Sequence, residues 1–339
     1  MLQAMRWLWI ALLVASCKAP SEIPLDTPAS PWTMGPILPD PRFEPGVTAM
    51  GQQLFVIGGF DTPTQVTTGV EVLDTQLQTW SSTLPDAPVA RHDVQIAAIG
   101  TTLYFMGGLD GTTNDGDPAR GDCYALNTGD PAGTWQPIAA IPAGFERGAA
   151  AVVVTPPRIY LLGGASSTGA LASVIFYDSI ADAWTTDQFP DLPMPRSHPA
   201  GLRRSDATFA VAGGLAGLTP DTAAADVFLL APNEQIPGGT WTDGTAMPTA
   251  RGSCAYGAVE DQLLCAGGEA GAAALTDTQG YSSINDVWST YAAMPVARTG
   301  TPGAVIGTLL FAPGGAADLT VAPTDTLLVF SLNDTAGTR

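Results

Sequence analysis

The chain has 339 residues, 45% of them apolar and only 13% charged, with 38 Gly and 29 Pro. This composition supplies ample core, favours turns and short strands over long helices, and excludes a disordered chain. Thirteen basic residues against 32 acidic ones give a formal net charge of −19, which excludes nucleic acid and electrostatic attachment to an anionic bilayer.

In chain order, Arg6 is a minimal positive region and Trp7 to Ala15 an unbroken apolar run, too short to span a bilayer as a helix. The run ends in Val14-Ala15-Ser16-Cys17. This segment resembles a bacterial lipoprotein signal, and the resemblance implies cleavage after residue 16 and a diacylglyceryl group on Cys17. Lys18 follows in place of the Asp that favours inner-membrane retention in enterobacterial lipoproteins, so the resemblance implies export to the outer membrane. Residues 17–30 then read as the lipidated Cys and a Pro-rich tether, with Pro20, Pro24 and Pro28 among small residues. The mature chain, without Arg6, keeps one Lys, Lys18, and eleven Arg.

From residue 31 the sequence repeats. An apolar run ending in two glycines occurs at Gly58, Gly107, Gly163, Gly213, Gly267 and Gly314, at spacings of 49, 56, 50, 54 and 47 residues. Trp32, Trp80, Trp135, Trp184, Trp241 and Trp288 keep phase with it. Each Trp is followed by an apolar-Pro pair and then by an Arg: Arg42, Arg91, Arg147, Arg196, Arg251 and Arg298. Each unit reads as four short strands, for example 93–99, 102–107, 121–126 and 133–138. A sheet this small cannot bury two faces alone, so the units must pack on one another.

The pattern resembles the Kelch repeat over residues 32–332. The resemblance implies an all-β, six-bladed propeller over 31–334, with four antiparallel strands per blade and a tail at 335–339. Pro313 and Tyr281 read as worn positions. The first Trp precedes the first diglycine, and the last diglycine is followed by one good strand, 326–332. Trp32 therefore predicts an N-terminal strand that closes blade six and removes an open edge.

Six of the eleven mature arginines are the motif arginines. They read as structural, satisfying carbonyls or packing at blade junctions, or alternatively as a cationic ring near the channel mouth that anchors a carboxylate. Candidate ligand-binding residues are Arg91, His92, Arg147, Arg196, His198, Arg251 and Arg298. In Kelch-like ubiquitin-ligase adaptors peptide is bound just after this Arg, which corresponds here to His92, Asp93, His198, Ser253 and Gly300; no charged set like the adaptors' is present. His92 and His198 fall in alternate repeats and are expected apart, without a shared metal. Asp110 to Asp117 reads as a solvated turn, and Cys254 and Cys265 as buried thiols on diagonal positions. Cys123 and Tyr124 are adjacent in one strand and face opposite ways, which argues against the Tyr–Cys cross-link of galactose oxidase.

These readings lead to an expectation of a lipid-anchored propeller in the bacterial cell envelope, acting as a non-enzymatic scaffold for an envelope protein or glycan, with no cofactor and no catalytic residue. The alternative is a sugar-active enzyme of the periplasmic sialate-epimerase kind, for which Glu146-Arg147 with His92 or His198 is the nearest acid/base set. A charged pair lining the axial pocket favours the enzyme; Ala, Gly and Ser there favour the binder. The working face is expected to gather the segments after the motif arginines and the loops after the diglycines, with 109–120 and 216–223 projecting furthest.

Overall fold

The computed structural model describes residues 30–113, 116–130, 132–204, 209–230, 238–259 and 261–333. The leader, Cys17, the tether through residue 29 and the C-terminal tail lie outside them.

The chain is a six-bladed β-propeller. Blade one is built from Gly46–Met50, Gln53–Ile57, Val70–Asp74 and Thr79–Ser81, paired antiparallel from the channel outward. Blades two to five repeat this order, with inner strands Gln95–Ile99, Ala151–Thr155, Ala200–Arg203 and Ala255–Val259. In blade six the inner strands Ala304–Ile306, Leu309–Pro313 and Leu327–Ser331 are completed by Trp32–Met34, with Trp32 opposite Phe330. The N-terminal strand thus closes the ring.

The second strands are buried on both faces, and alternate residues serve different neighbours. Phe55 and Ile57 pack with Ile96 and Phe105 of blade two, whereas Leu54 and Val56 pack with Ala304 and Phe311 of blade six. Outer strands such as Thr79–Ser81 are mostly exposed, with Trp80 facing a neighbouring blade.

Two sets of contacts repeat at every junction. The second glycine of each pair donates its N–H to the carbonyl of the motif Arg leading into the next blade, at 2.6–2.9 Å (Gly59 to Arg91, through to Gly315 to Arg42). All twelve glycines have positive φ, and a Cβ on any first glycine would lie under 3.0 Å from that Arg carbonyl. Both freedom of φ and close approach therefore demand glycine here. Each Trp indole N–H also donates to a carbonyl beyond the outer strand of the preceding blade, at 2.8–3.1 Å. The ring stacks on the blade while its one polar atom is satisfied.

The two faces are fixed by the chain's direction. On one, the residue after each motif Arg forms a bridge with the residue after the diglycine: Phe43 with Phe60, His92 with Leu109, Gly148 with Ala165, Ser197 with Leu215, Gly252 with Glu269 and Thr299 with Ala316. The expected sharing of one face by these two sets of segments is met. On the other face, the turn after the third strand bonds to the turn between the first two, as in Thr75 to Gln52, Thr128 to Thr101, Ser179 to Pro157, Ser283 to Asp261 and Leu332 to Thr308.

Three local expectations are corrected. Blade two's first strand begins later than the pattern predicts, at Gln95, because Asp93 adopts φ +50° and turns the chain before the ladder starts, and the third and fourth begin at Cys123 and Gln136. Cys254 and Cys265 form a disulfide and are not free thiols. The two are diagonal, as expected, but Ser253 turns through φ +54° and Cys254 precedes the ladder, which brings the Cα atoms to 5.6 Å, within bonding range. Tyr281 is not a worn position: its hydroxyl donates to Asp286 as that of Tyr177 donates to Asp182.

The glycine requirement is testable. Gly267→Ala meets both the Arg298 carbonyl and φ +67°, and should cost about 2–4 kcal/mol. Gly51→Ala, at φ +59° with nothing within 4 Å, should cost about 1 kcal/mol. Equal losses in chemical denaturation would show that close approach contributes nothing.

Candidate functional site

Two residues after each motif Arg, the chain turns into the innermost strand through a left-handed residue: Glu44, Asp93, Ala149, His198, Ser253 and Gly300, with φ between 50° and 60°. Glu44 donates its N–H to Gly300, Asp93 to Glu44, Ala149 to Asp93, His198 to Ala149 and Ser253 to His198, at 2.7–3.2 Å. These backbone bonds run around the axis and form the mouth of the channel. Five of the six residues are not glycine, so each carries backbone strain of about 1–2 kcal/mol. Their side chains face a cavity of about 530 Å3.

Below the mouth the walls are mainly small and apolar, including Val47, Ala150, Val152 and Gly201. Tyr256 of blade five reaches to blade three, where its hydroxyl accepts the Val152 N–H at 3.0 Å.

At the mouth the polar side chains converge. His198 Nε2 lies 3.1 Å from Asp93 Oδ1, and His92 Nδ1 lies 3.3 Å from Asp93 Oδ2 and 3.0 Å from Glu44 Oε2. His92 Nε2 meets Asp117 at 3.2 Å. The two histidines expected apart are therefore joined through one carboxylate. His92 itself is wholly buried behind the mouth, while His198 reaches the cavity. On blade five, the hydroxyls of Ser253 and Thr299 both donate to Glu269.

Burial opposes charge on both histidines, but their carboxylate partners outweigh it. His92 is pushed up to about 10 by hydrogen bonds to Asp93 and Glu44, and His198 to about 9 by the charge of Asp93. Burial, reinforced by Asp93, raises Glu44 to about 7. Asp93 is held well below the usual carboxylate range: burial opposes its charge, but His198 and His92 outweigh it. Ligand atoms of Glu44, His92 and Asp93 lie within 4.8 Å of one another, as in a metal site. Here both His92 nitrogens already face carboxylates, so an imidazolium occupies the place a cation would take.

The motif arginines lie elsewhere. Arg42 meets Glu71 at 2.7 Å, Arg91 meets Asp122 at 3.3 Å, and Arg196 pairs with Asp226. Arg147 donates to the carbonyls of Gly163 and Ser173, Arg251 to those of Gly267 and Asp277, and Arg298 to that of Ala297. All six are buried and none lines the cavity, so no cationic ring is assembled at the mouth. Glu146 accepts the Gly144 N–H and is likewise absent from the cavity wall. Asp117 is buried against Thr113 and His92, which corrects the solvated reading for that carboxylate, while Thr112, Thr113 and Gly116 of the same loop are exposed. Glu44 was missed. The offset of two residues past the Arg, which gives Asp93 and His198, finds it at once when counted from Arg42.

Comparison with known proteins agrees with the propeller fold. Residues 41–83 match the Kelch motif. The chain is 29% identical over 291 residues to "Kelch-like protein terF" of Aspergillus terreus, covering 81% of this chain and 61% of that protein. It is 40% identical over 78 residues to the human "Rab9 effector protein with kelch motifs", covering 22% of this chain and 21% of that protein. The chain thus spans about three fifths and one fifth of these relatives. The solved structure of YjhT superposes with a TM-score of 0.72 at 17% identity, covering 88% of this chain and 97% of that one. The motif match, the Kelch-like relative and the six four-stranded blades support a Kelch β-propeller.

The cluster makes stability depend on pH. His92 and His198 titrate above their unfolded value of about 6.5, so the stabilisation they provide is complete below that pH and is lost as pH rises toward 9–10. Glu44, raised from 4.5 to about 7, acts in the same direction between those values. The melting temperature should fall between pH 6.5 and 10, and fall less steeply in His198→Gln. Parallel profiles for the two proteins would count against the assignment.

Proposed function

We propose that the chain is a lipid-anchored, extracytoplasmic propeller that binds a protein or glycan at the channel mouth. The observation that carries this reading is the ring of Glu44, Asp93, His198 and Ser253 opening onto a cavity of about 530 Å3. Carboxylates, an imidazolium and a hydroxyl converge there to fix orientation, above apolar walls that exclude water; binding sites commonly have this composition. The Kelch propeller fold supports a binding scaffold in general. The Cys254–Cys265 disulfide supports an oxidising compartment, in keeping with the signal-like leader and Cys17.

One observation favours a second reading, a sugar-active enzyme of the sialate-epimerase kind. Glu44 and Asp93 share His92, Asp93 also pairs with His198, and Glu44 and His198 both reach the cavity and titrate above their usual values, which suits proton transfer. Against it, no motif arginine reaches the mouth to hold an anionic sugar.

Ligand captured by the purified protein from detergent-solubilised envelopes should bind at least tenfold more weakly to His198→Gln and Ser253→Trp, measured at a temperature where circular dichroism shows both variants folded. Undiminished binding by both variants would remove the mouth as the site. Sialic acid anomers interconverting faster with wild-type protein, but not with Glu44→Gln, would favour the enzyme. Separately, Cys17→Ser should move the protein from the membrane to the soluble fraction.

A further inference from the structure

We propose that the face opposite the mouth lies against a lipid surface, so that the ring of Glu44, Asp93, His198 and Ser253 opens away from the membrane; this rests on the lipid-anchor reading above.

The first argument is where the chain leaves the fold. Trp32–Met34 is the outer strand of blade six and runs antiparallel to Leu327–Ser331. Its beginning sits at the far end of the blade from the mouth: the Pro31 carbonyl accepts the Ser331 N–H, and the next residue, Leu332, bonds to Thr308 in the turn between the first two strands. The segment from Cys17 therefore joins the propeller on the face opposite the mouth. Twelve residues separate Cys17 from Ser30, and the thirteen steps reach at most about 45 Å at roughly 3.5 Å per residue. A tether of that reach keeps the propeller close to the bilayer but does not by itself set which face turns toward it.

The second argument is what that face displays. The turns after the third strand of blades one, three and five bond to the neighbouring turns there, and each projects an aliphatic side chain: Leu77 (71% exposed), Ile180 (84%) and Ile284 (67%). Asp74 and Asp178, the carboxylates in two of these turns, accept N–H groups of the turn itself, Leu77 among them. On the mouth side Ile37 is as exposed, at 66%, but it stands on the outer rim, and Met194, Val296 and Leu319 are less exposed, at 52%, 37% and 38%.

Three aliphatic tips on alternate blades form a tripod. Each partitions weakly into a lipid interface, but a tethered domain samples the surface at high effective concentration, so weak contacts suffice to orient it. The acidic chain contributes no electrostatic attraction, which leaves apolar insertion as the force.

The full lipidated chain is to be reconstituted into phosphatidylethanolamine–phosphatidylglycerol vesicles. An environment-sensitive fluorophore is placed at Leu77→Cys, Ile180→Cys or Ile284→Cys, and for comparison at Thr112→Cys, Ser167→Cys or Ala317→Cys on the mouth face. Unchanged melting temperatures establish the fold, and vesicle flotation against Cys17→Ser reports the anchor independently. The expected result is flotation, with blue-shifted emission and quenching by nitroxide lipids at the first three positions only. Flotation without a shift at those positions, or with a shift at the mouth-face positions, overturns this orientation while the anchor stands. Absence of flotation by the lipidated chain overturns the anchor and this proposal together.

Discussion

Each blade ends its second strand close enough to the next blade's lead-in segment for a backbone N–H to reach the Arg carbonyl there, and this one approach governs much of the molecule. It admits no side chain, so two glycines are required at every junction. It pins the lead-in segment, so the residue two positions past the Arg must swing left-handed into the innermost strand. Because every blade does this, six such residues meet around the axis. The mouth is therefore a geometric by-product of closing the ring, and function needs only to choose its side chains.

Those choices are uneven. Blades one, two, four and five bring Glu, Asp, His and Ser to the mouth, while blades three and six bring Ala and Gly. The charged members meet across the mouth, where Asp93 serves both histidines and Glu44 supports His92 from the preceding blade. Away from water such pairs interact strongly, but each charge must be balanced or it becomes costly. The loop after the second diglycine meets that need by folding Asp117 onto the far nitrogen of His92. An insertion that looks like a surface loop in sequence thus completes the support of the site.

The motif arginines illustrate the converse. A buried guanidinium has five N–H groups to satisfy, and carbonyls of the diglycine strand and the following segment lie within its reach. Arg147 and Arg251 use the same pair of carbonyls in their blades, and Arg42 and Arg196 use a carboxylate. The side chains that seemed best placed to grip an anionic ligand are occupied in holding the blade edges. The mouth consequently presents Glu44, the Asp93–His198 pair and Ser253, and none of the motif arginines.

Periodicity carried most of the architecture. Six diglycines, six Trp and six Arg in phase dictate six blades, because a blade-sized sheet must bury both faces on copies of itself. The early Trp32 and the missing seventh Trp dictate closure by the N-terminal strand. Chain direction alone settled which loops share a face. What periodicity could not supply was distance between non-equivalent positions. His92 and His198 are 106 residues apart in alternate blades, and only the narrowness of the channel brings both onto Asp93. Cys254 and Cys265 are diagonal in an ideal ladder, and only the left-handed turn at Ser253 brings them into bonding range. Repetition fixes what every blade must do; the chemistry of the mouth depends on where the blades differ, and those differences meet only when the ring is closed.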